Sequence, residues 1–167
     1  MNDIFEVKIK PVWENIEIIR NSADEFLKSK GCNDVIRDAI IMTISELVEN
    51  AVKYGCFTDK CPDIYASVTP AERIITVEVK SPVREQDDMH FKRLDRIVQW
   101  VRGFQNPFEA YIAKIKDIAL QPLNDNMSGL GIVRIAYEGQ SVIDFYVNDD
   151  NVISVSAVYH LSRRRKD

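Results

Sequence analysis

Between residues 40 and 52 the chain places Ile40, Ile41, Ile44, Leu47, Val48, Ala51 and Val52 at helical spacing. At about 100° per residue these side chains sweep well over half of a helix circumference. Such a helix has to pack, and we expect it against a sheet. A narrow polar stripe remains, made by Thr43, Glu46, Asn50 and Lys53. Glu46 and Asn50 lie one turn apart on the same face. An amide oxygen there can ligate a hard cation such as Mg²⁺, and a carboxylate can take a proton from an attacking hydroxyl or water. The plain alternative is that the stripe is simply the solvent face of the helix.

A second segment, Ser128-Gly129-Leu130-Gly131, is a glycine-rich turn that runs into the apolar stretch Ile132 to Ile135. Such a turn can present bare backbone N–H groups and a helix N-terminus to phosphate. Its plain alternative is an ordinary loop that needs glycine for a positive φ. Together and in this order, the two segments resemble the GHKL ATPases, the histidine-kinase-like ATP-binding fold. Glu46-x-x-x-Asn50-Ala51, followed by Gly55, looks like the family's N box, and Ser128 to Gly131 looks like its second glycine box. The resemblance covers nearly the whole chain in element order. It is nearest to the small bacterial anti-sigma-factor serine kinases, a stand-alone version of the domain. It implies ATP and Mg²⁺ as cofactors, Glu46 as catalytic base and Asn50 as Mg²⁺ ligand. It also implies a phosphate cradle at Ser128, Gly129, Leu130 and Gly131. The partners it implies are a protein antagonist or a sigma-factor-like regulator, with a second copy of the chain as a further candidate.

The chain departs from that pattern at the family's first glycine box, Asp-x-Gly at the end of a strand. Here the strand Ile74 to Lys80 runs into Ser81-Pro82-Val83. Ser81 stands in the place of the Asp that would accept from the adenine amino group, and Val83 in the place of the Gly. A serine hydroxyl still accepts a hydrogen bond, which keeps Ser81 among the candidate nucleotide contacts. Losing a charge-assisted bond nevertheless costs roughly 1.5–3 kcal/mol. Tyr54 occupies a place often held by His. These departures predict weak or absent nucleotide binding.

The 167 residues fit one domain spanning residues 1–167, and 46% hydrophobic with 29% charged residues is ordinary for a soluble globular chain. A net charge of -4 gives no general pull toward nucleic acid or an anionic membrane. The run Arg163 to Lys166 is a local exception, read as a solvated tail. No apolar run reaches spanning length and the N-terminus lacks a signal pattern, which predicts a cytoplasmic protein. Three cysteines, Cys32, Cys56 and Cys61, fit a reducing compartment and make a poor zinc site. His90 and His160 have no nucleophile at motif spacing.

Periodicity gives a strand at residues 5–10, helices at 13–30 and about 34–54, a hairpin at 63–80, and a helical middle from about 84 to 126. A short helix to Tyr137 and a second hairpin at 141–158 follow. This order predicts a two-layer α/β sandwich, a mixed, mostly antiparallel sheet with helices on one face. The helical middle stands where these ATPases carry a flexible lid, yet it is amphipathic and holds Trp100, Phe104, Phe108 and Tyr111. Those aromatics either pack on the core or form a surface for another chain. Two functions follow: an ATP-dependent serine/threonine kinase acting on a protein antagonist, or a pseudo-ATPase module that switches partners without catalysis. No phospho-accepting histidine segment precedes the N box, which argues against a histidine kinase proper.

Overall fold

A computed structural model of the chain describes residues 3–84, 88–120 and 129–161. Ser128 and the basic run Arg163 to Lys166 lie outside the described residues. The elements are β1 (Phe5–Ile9), α1 (Glu14–Ser29), α2 (Asp34–Tyr54), β2 (Ile64–Pro70), β3 (Ile74–Pro82), α3 (Asp88–Arg102), α4 (Pro107–Ala119), α5 (Leu130–Tyr137), β4 (Ser141–Val147) and β5 (Val152–His160). The strands form one sheet in the order β1-β2-β3-β5-β4, antiparallel at all four pairings. The α/β sandwich is thus as expected, with the sheet antiparallel throughout where it pairs.

The helices α1, α2 and α5 lie against this sheet, and α4 lies on α5. The strands alternate accordingly. Ile75, Val77, Val79 and Ser81 of β3 are buried on the helix side, while Thr76, Glu78 and Lys80 between them stay partly exposed. The helix α2 starts at Asn33, whose side chain accepts from the Ile36 N–H at 3.0 Å, the usual device for satisfying a first-turn donor. Ile40, Ile44 and Val48 have no exposure at all. Burial of each such aliphatic side chain stabilises the fold by about 1.5–3 kcal/mol.

Most of the polar stripe of α2 is covered, and only Lys53 at its end is exposed. Thr43 is fully buried and donates to the Ala39 carbonyl at 2.8 Å. Above it lies Gly139, just past the end of α5, where a Cβ would stand 2.4 Å from Thr43 Oγ1. The absence of a side chain at residue 139 is what lets α5 settle onto α2. That contact fixes the distance between the glycine turn and the stripe.

At the opposite edge, Asp63 leads into β2 and takes Lys10 at 2.8 Å and Lys8 at 3.1 Å. The hydrogen bond from Lys10 comes first among the causes that hold its carboxyl below the ordinary aspartate value. A depressed folded-state value means stability that is complete above the unfolded value and fades as pH falls through the folded one. Asp63→Asn is therefore expected to lower the urea midpoint at pH 7. The difference from wild type should narrow below about pH 3.9. Equal differences at pH 7 and pH 3 would show that the loss is not ionic.

Among the described residues no helix is long and apolar enough to cross a membrane.

Candidate functional site

One cavity of about 170 Å³ lies between α2, the sheet, α3 and the glycine turn, and it gathers Glu46, Asn50, Ser81, Gly129, Leu130 and Gly131. Every described residue named from the sequence as a candidate base, cation ligand or nucleotide contact therefore lines the same space. Its floor is the end of β3 with β5, where Val79, Ile153 and Val155 are apolar and Ser81 is polar. One wall is α2, which supplies Glu46 and Asn50 from successive turns.

The glycine turn closes on that wall. Gly129 has φ 70°, and a Cβ on it would meet Ile97 Cδ1 at 2.1 Å. The backbone conformation favours glycine here, and a Cβ would also force the end of the Ile97 side chain to move. Gly131 lies against the carboxylate itself: a Cβ there would be 2.5 Å from Glu46 Oε2 and 3.8 Å from Asn50 Nδ2. Backbone and acid are thus in contact range across 85 residues of sequence (131 minus 46).

The sequence assigned no role to Arg134, yet it is bonded to Glu46 and is the charge that acts most on that carboxyl, while among the described residues Lys53 and Arg93 line the cavity itself. Arg134 Nη1 donates to Glu46 Oε1. Its Nε and Nη2 donate to the two oxygens of Glu138 at 2.9 and 3.1 Å. Glu46 is 14% exposed and Arg134 36%, so the carboxylate is the more buried of the pair. Burial pushes the Glu46 carboxyl up, and Arg134 pulls it back down. The hydrogen bond to Glu138 leads the causes that raise Arg134. The one available signal was a single cation on an eight-residue helix otherwise made of apolar residues and a glycine.

At the other end, the corner formed by Ser81, Pro82 and Val83 is tied down by backbone. Strand β3 continues through Pro82 rather than turning away after Lys80. The Pro82 carbonyl accepts from Cys56 N–H at 2.8 Å, and the Val83 N–H donates to the Asn151 carbonyl at 2.8 Å. Ser81 is 5% exposed and faces the cavity.

The helix α3 forms the remaining wall with Phe91, Leu94 and Ile97. Leu94 and Ile97 pack against the core, and Val98 is buried. The rings of Tyr54 and His90 meet at 5.5 Å where α2 faces the start of α3. Farther along, Arg102 Nη2 donates to the Ile143 carbonyl at 2.6 Å and pins the end of α3 to β4. The aromatics pair with one another, and two of them stay partly exposed, Phe108 at 43% and Trp100 at 37%. Phe108 and Tyr111 both stack on Tyr137, at 5.2 and 5.0 Å. Trp100 meets Phe104 edge-on at 4.8 Å but stays 37% exposed.

The residues fit the phosphate and Mg²⁺ end of a nucleotide. Mg²⁺ needs only one or two protein oxygens besides phosphate and water, and Asn50 with Glu46 can supply them. Among the described residues no three His, Cys, Asp or Glu side chains form a metal cluster of their own. The adenine end fits poorly, because the corner holds no carboxylate and its backbone is already used. The cavity is also smaller than the ~300–1,000 Å³ usual for pockets that enclose drug-sized ligands.

No family model matches the chain, and no curated protein matches it in sequence. A solved structure does match in fold. It is "The crystal structure of SiaB-SiaC complex from Pseudomonas aeruginosa", with a TM-score of 0.67 at 14% identity. The match covers 95% of this chain and 91% of the other. At that identity the likeness shows a shared fold and nothing more specific.

Proposed function

We propose that this chain is a signalling regulator that works by binding a protein partner and switching between partners. In this reading it keeps the scaffold of an anti-sigma-factor serine kinase and binds ATP and Mg²⁺ weakly or not at all. The observation that carries the reading is the closed corner at Ser81–Val83. Its backbone is bonded to Cys56 and Asn151 and it offers a hydroxyl where adenine would need a carboxylate. The fold match to a structure of a two-protein complex agrees with it. The partner class is a protein antagonist or a sigma-factor-like regulator, or a second copy of the chain.

The kinase reading has one specific observation in its favour. Glu46 and Asn50 share the cavity with Gly129 and Gly131, the arrangement that positions a base and a cation beside a phosphate cradle. Glu46 would then take the proton of the accepting hydroxyl, Asn50 would hold the cation, and the bound nucleotide would supply the phosphoryl group.

The test uses the full chain as bait, without nucleotide, and then adds radiolabelled ATP with Mg²⁺ to whatever protein is retained. We expect retention to need no nucleotide and no label to pass to the partner. Transfer of label that Glu46→Gln abolishes would overturn the pseudo-ATPase reading and establish the kinase.

A further inference from the structure

The helices bury the face of the sheet that carries Ile75, Val77 and Val79. On the other face Tyr65, Val142 and Tyr146 stand more than half exposed. We propose that this open face binds a second copy of the chain, stacked sheet on sheet about a two-fold axis. The proposal rests on the reading above only in taking the working surface to be one for protein. The cavity lies on the helix side, so nucleotide plays no part in it.

The strand register sorts the open face into rows that run across the sheet. One row is Lys8, Tyr65, Lys80, Ser154 and Tyr146, from β1 to β4. The next, two residues along each strand, is Glu6, Ser67, Glu78, Ser156 and Asp144. Every charged side chain of the first row is a cation, and every one of the second is a carboxylate. The surface therefore carries both halves of a complementary pattern, which is what an isologous interface needs.

A two-fold axis lying across the strands, between these two rows, turns each row onto the other. It reverses strand direction and keeps position across the sheet. Lys80 then faces Glu78 of the partner subunit, and Lys8 faces Glu6 of the partner subunit, each contact occurring twice. Size alternates as charge does, since Tyr65 comes over Ser67 of the partner subunit. Large side chains over small ones let two sheets close to about 10 Å. An axis along β3 would instead lay Lys80 on Lys80 of the partner subunit, like charge on like.

Within one chain Lys80 reaches Glu78 at 3.0 Å, and both are partly exposed. Such a pair alone is worth little. An ammonium has three donors, so Lys80 can hold its own Glu78 and Glu78 of the partner subunit together. That cluster would sit at the centre, because β3 is the middle strand of five. The area also suffices. Five strands at ~4.8 Å spacing, about 25 Å long, make a face of roughly 600 Å² before side-chain relief is counted. A standard interface buries about 800 Å² per partner.

The experiment is a charge swap on the full chain, read by sedimentation equilibrium. Wild type should be a dimer at micromolar concentration. Lys80→Glu and Glu78→Lys should each weaken dimerisation by about 100-fold, because symmetry places two like-charge contacts in every dimer. An equimolar mixture of the two variants should recover a dimer near wild-type affinity, since each clash then becomes an opposite-charge contact. Thermal unfolding of each variant confirms that it is folded. Glu78 also accepts from Ser154 at 2.5 Å. If Glu78→Lys does not fold, the swap is made with Lys8→Glu and Glu6→Lys, for which the same axis predicts the same recovery. A wild type that stays monomeric at sub-millimolar concentration would overturn the proposal and leave partner switching to its own bait test. So would a dimer indifferent to both substitutions, or a mixture that fails to recover.

Discussion

Gly139→Ala should be one of the most damaging single-methyl additions this fold can receive. A Cβ at residue 139 would stand 2.4 Å from Thr43 Oγ1 and 2.5 Å from the Ile135 carbonyl oxygen. The second contact is with backbone, which has no rotamer to escape into. Thr43 cannot swing away either, since it is fully buried and bonded to Ala39. Relief of the Thr43 contact therefore requires α5 to lift from α2, and relief of the Ile135 contact requires the chain to bend away at the end of α5. Overpacking of this kind costs about 1–3 kcal/mol, and we expect the upper part of that range. For a chain of this length that is a drop of roughly 5–10 °C in Tm. The control is Gly103→Ala, where the new Cβ would come only within 3.2 Å of the Trp100 carbonyl. Similar losses for the two variants, measured by thermal unfolding, would mean that the α2–α5 contact is not the constraint described. The consequence reaches the cavity, because lifting α5 also draws Gly131 away from Glu46.

The second large effect is a gain. Ser81→Asp together with Val83→Gly should raise ATP affinity roughly 10- to 100-fold, the value of a charge-assisted hydrogen bond to the adenine amino group. The same change should destabilise the ligand-free protein. Position 81 is 5% exposed and surrounded by Val79, Ile153 and Val155. A carboxylate there loses solvation, so its folded-state pKa rises. The penalty is absent below the unfolded value near 3.9 and grows as pH rises through the raised folded value. The variant should thus melt closer to wild type at pH 4 than at pH 7, and ATP should restore part of the difference by mass action. Titration calorimetry and thermal shift read the two halves independently. No gain in affinity from a folded variant would show that this corner is not where adenine would sit.

Much of this architecture is legible in the sequence because it depends on local pattern. The apolar sweep of α2 declares itself within one element, and the hairpins at 63–80 and 141–158 within two adjacent ones. The convergence of Glu46, Asn50, Gly129 and Gly131 was legible through the order of two motifs. What the sequence hid is non-local. Arg134 finds Glu46 across 88 positions, and no periodicity records such a pair. The stripe containing Thr43 looks like a solvent face until Gly139 covers it. Strand β3 runs past its apparent end at Lys80 because Ser81 and Pro82 pair with Ile153 and Val152 of β5, a register set by a strand about 70 residues later in the chain (152 minus 82). The helical middle was legible as helices. Its packing was not, because Tyr137, the residue against which Phe108 and Tyr111 stack, belongs to α5.

In the proposed function the cavity retains groups suited to phosphate and lacks those suited to adenine. Calorimetric titration of the wild-type protein with ATP and Mg²⁺ tests it most directly. The account predicts a dissociation constant weaker than roughly 0.1 mM, or no measurable heat, corresponding to less than about 5.5 kcal/mol of binding free energy. Low-micromolar binding would contradict it and show that another group has replaced the missing carboxylate.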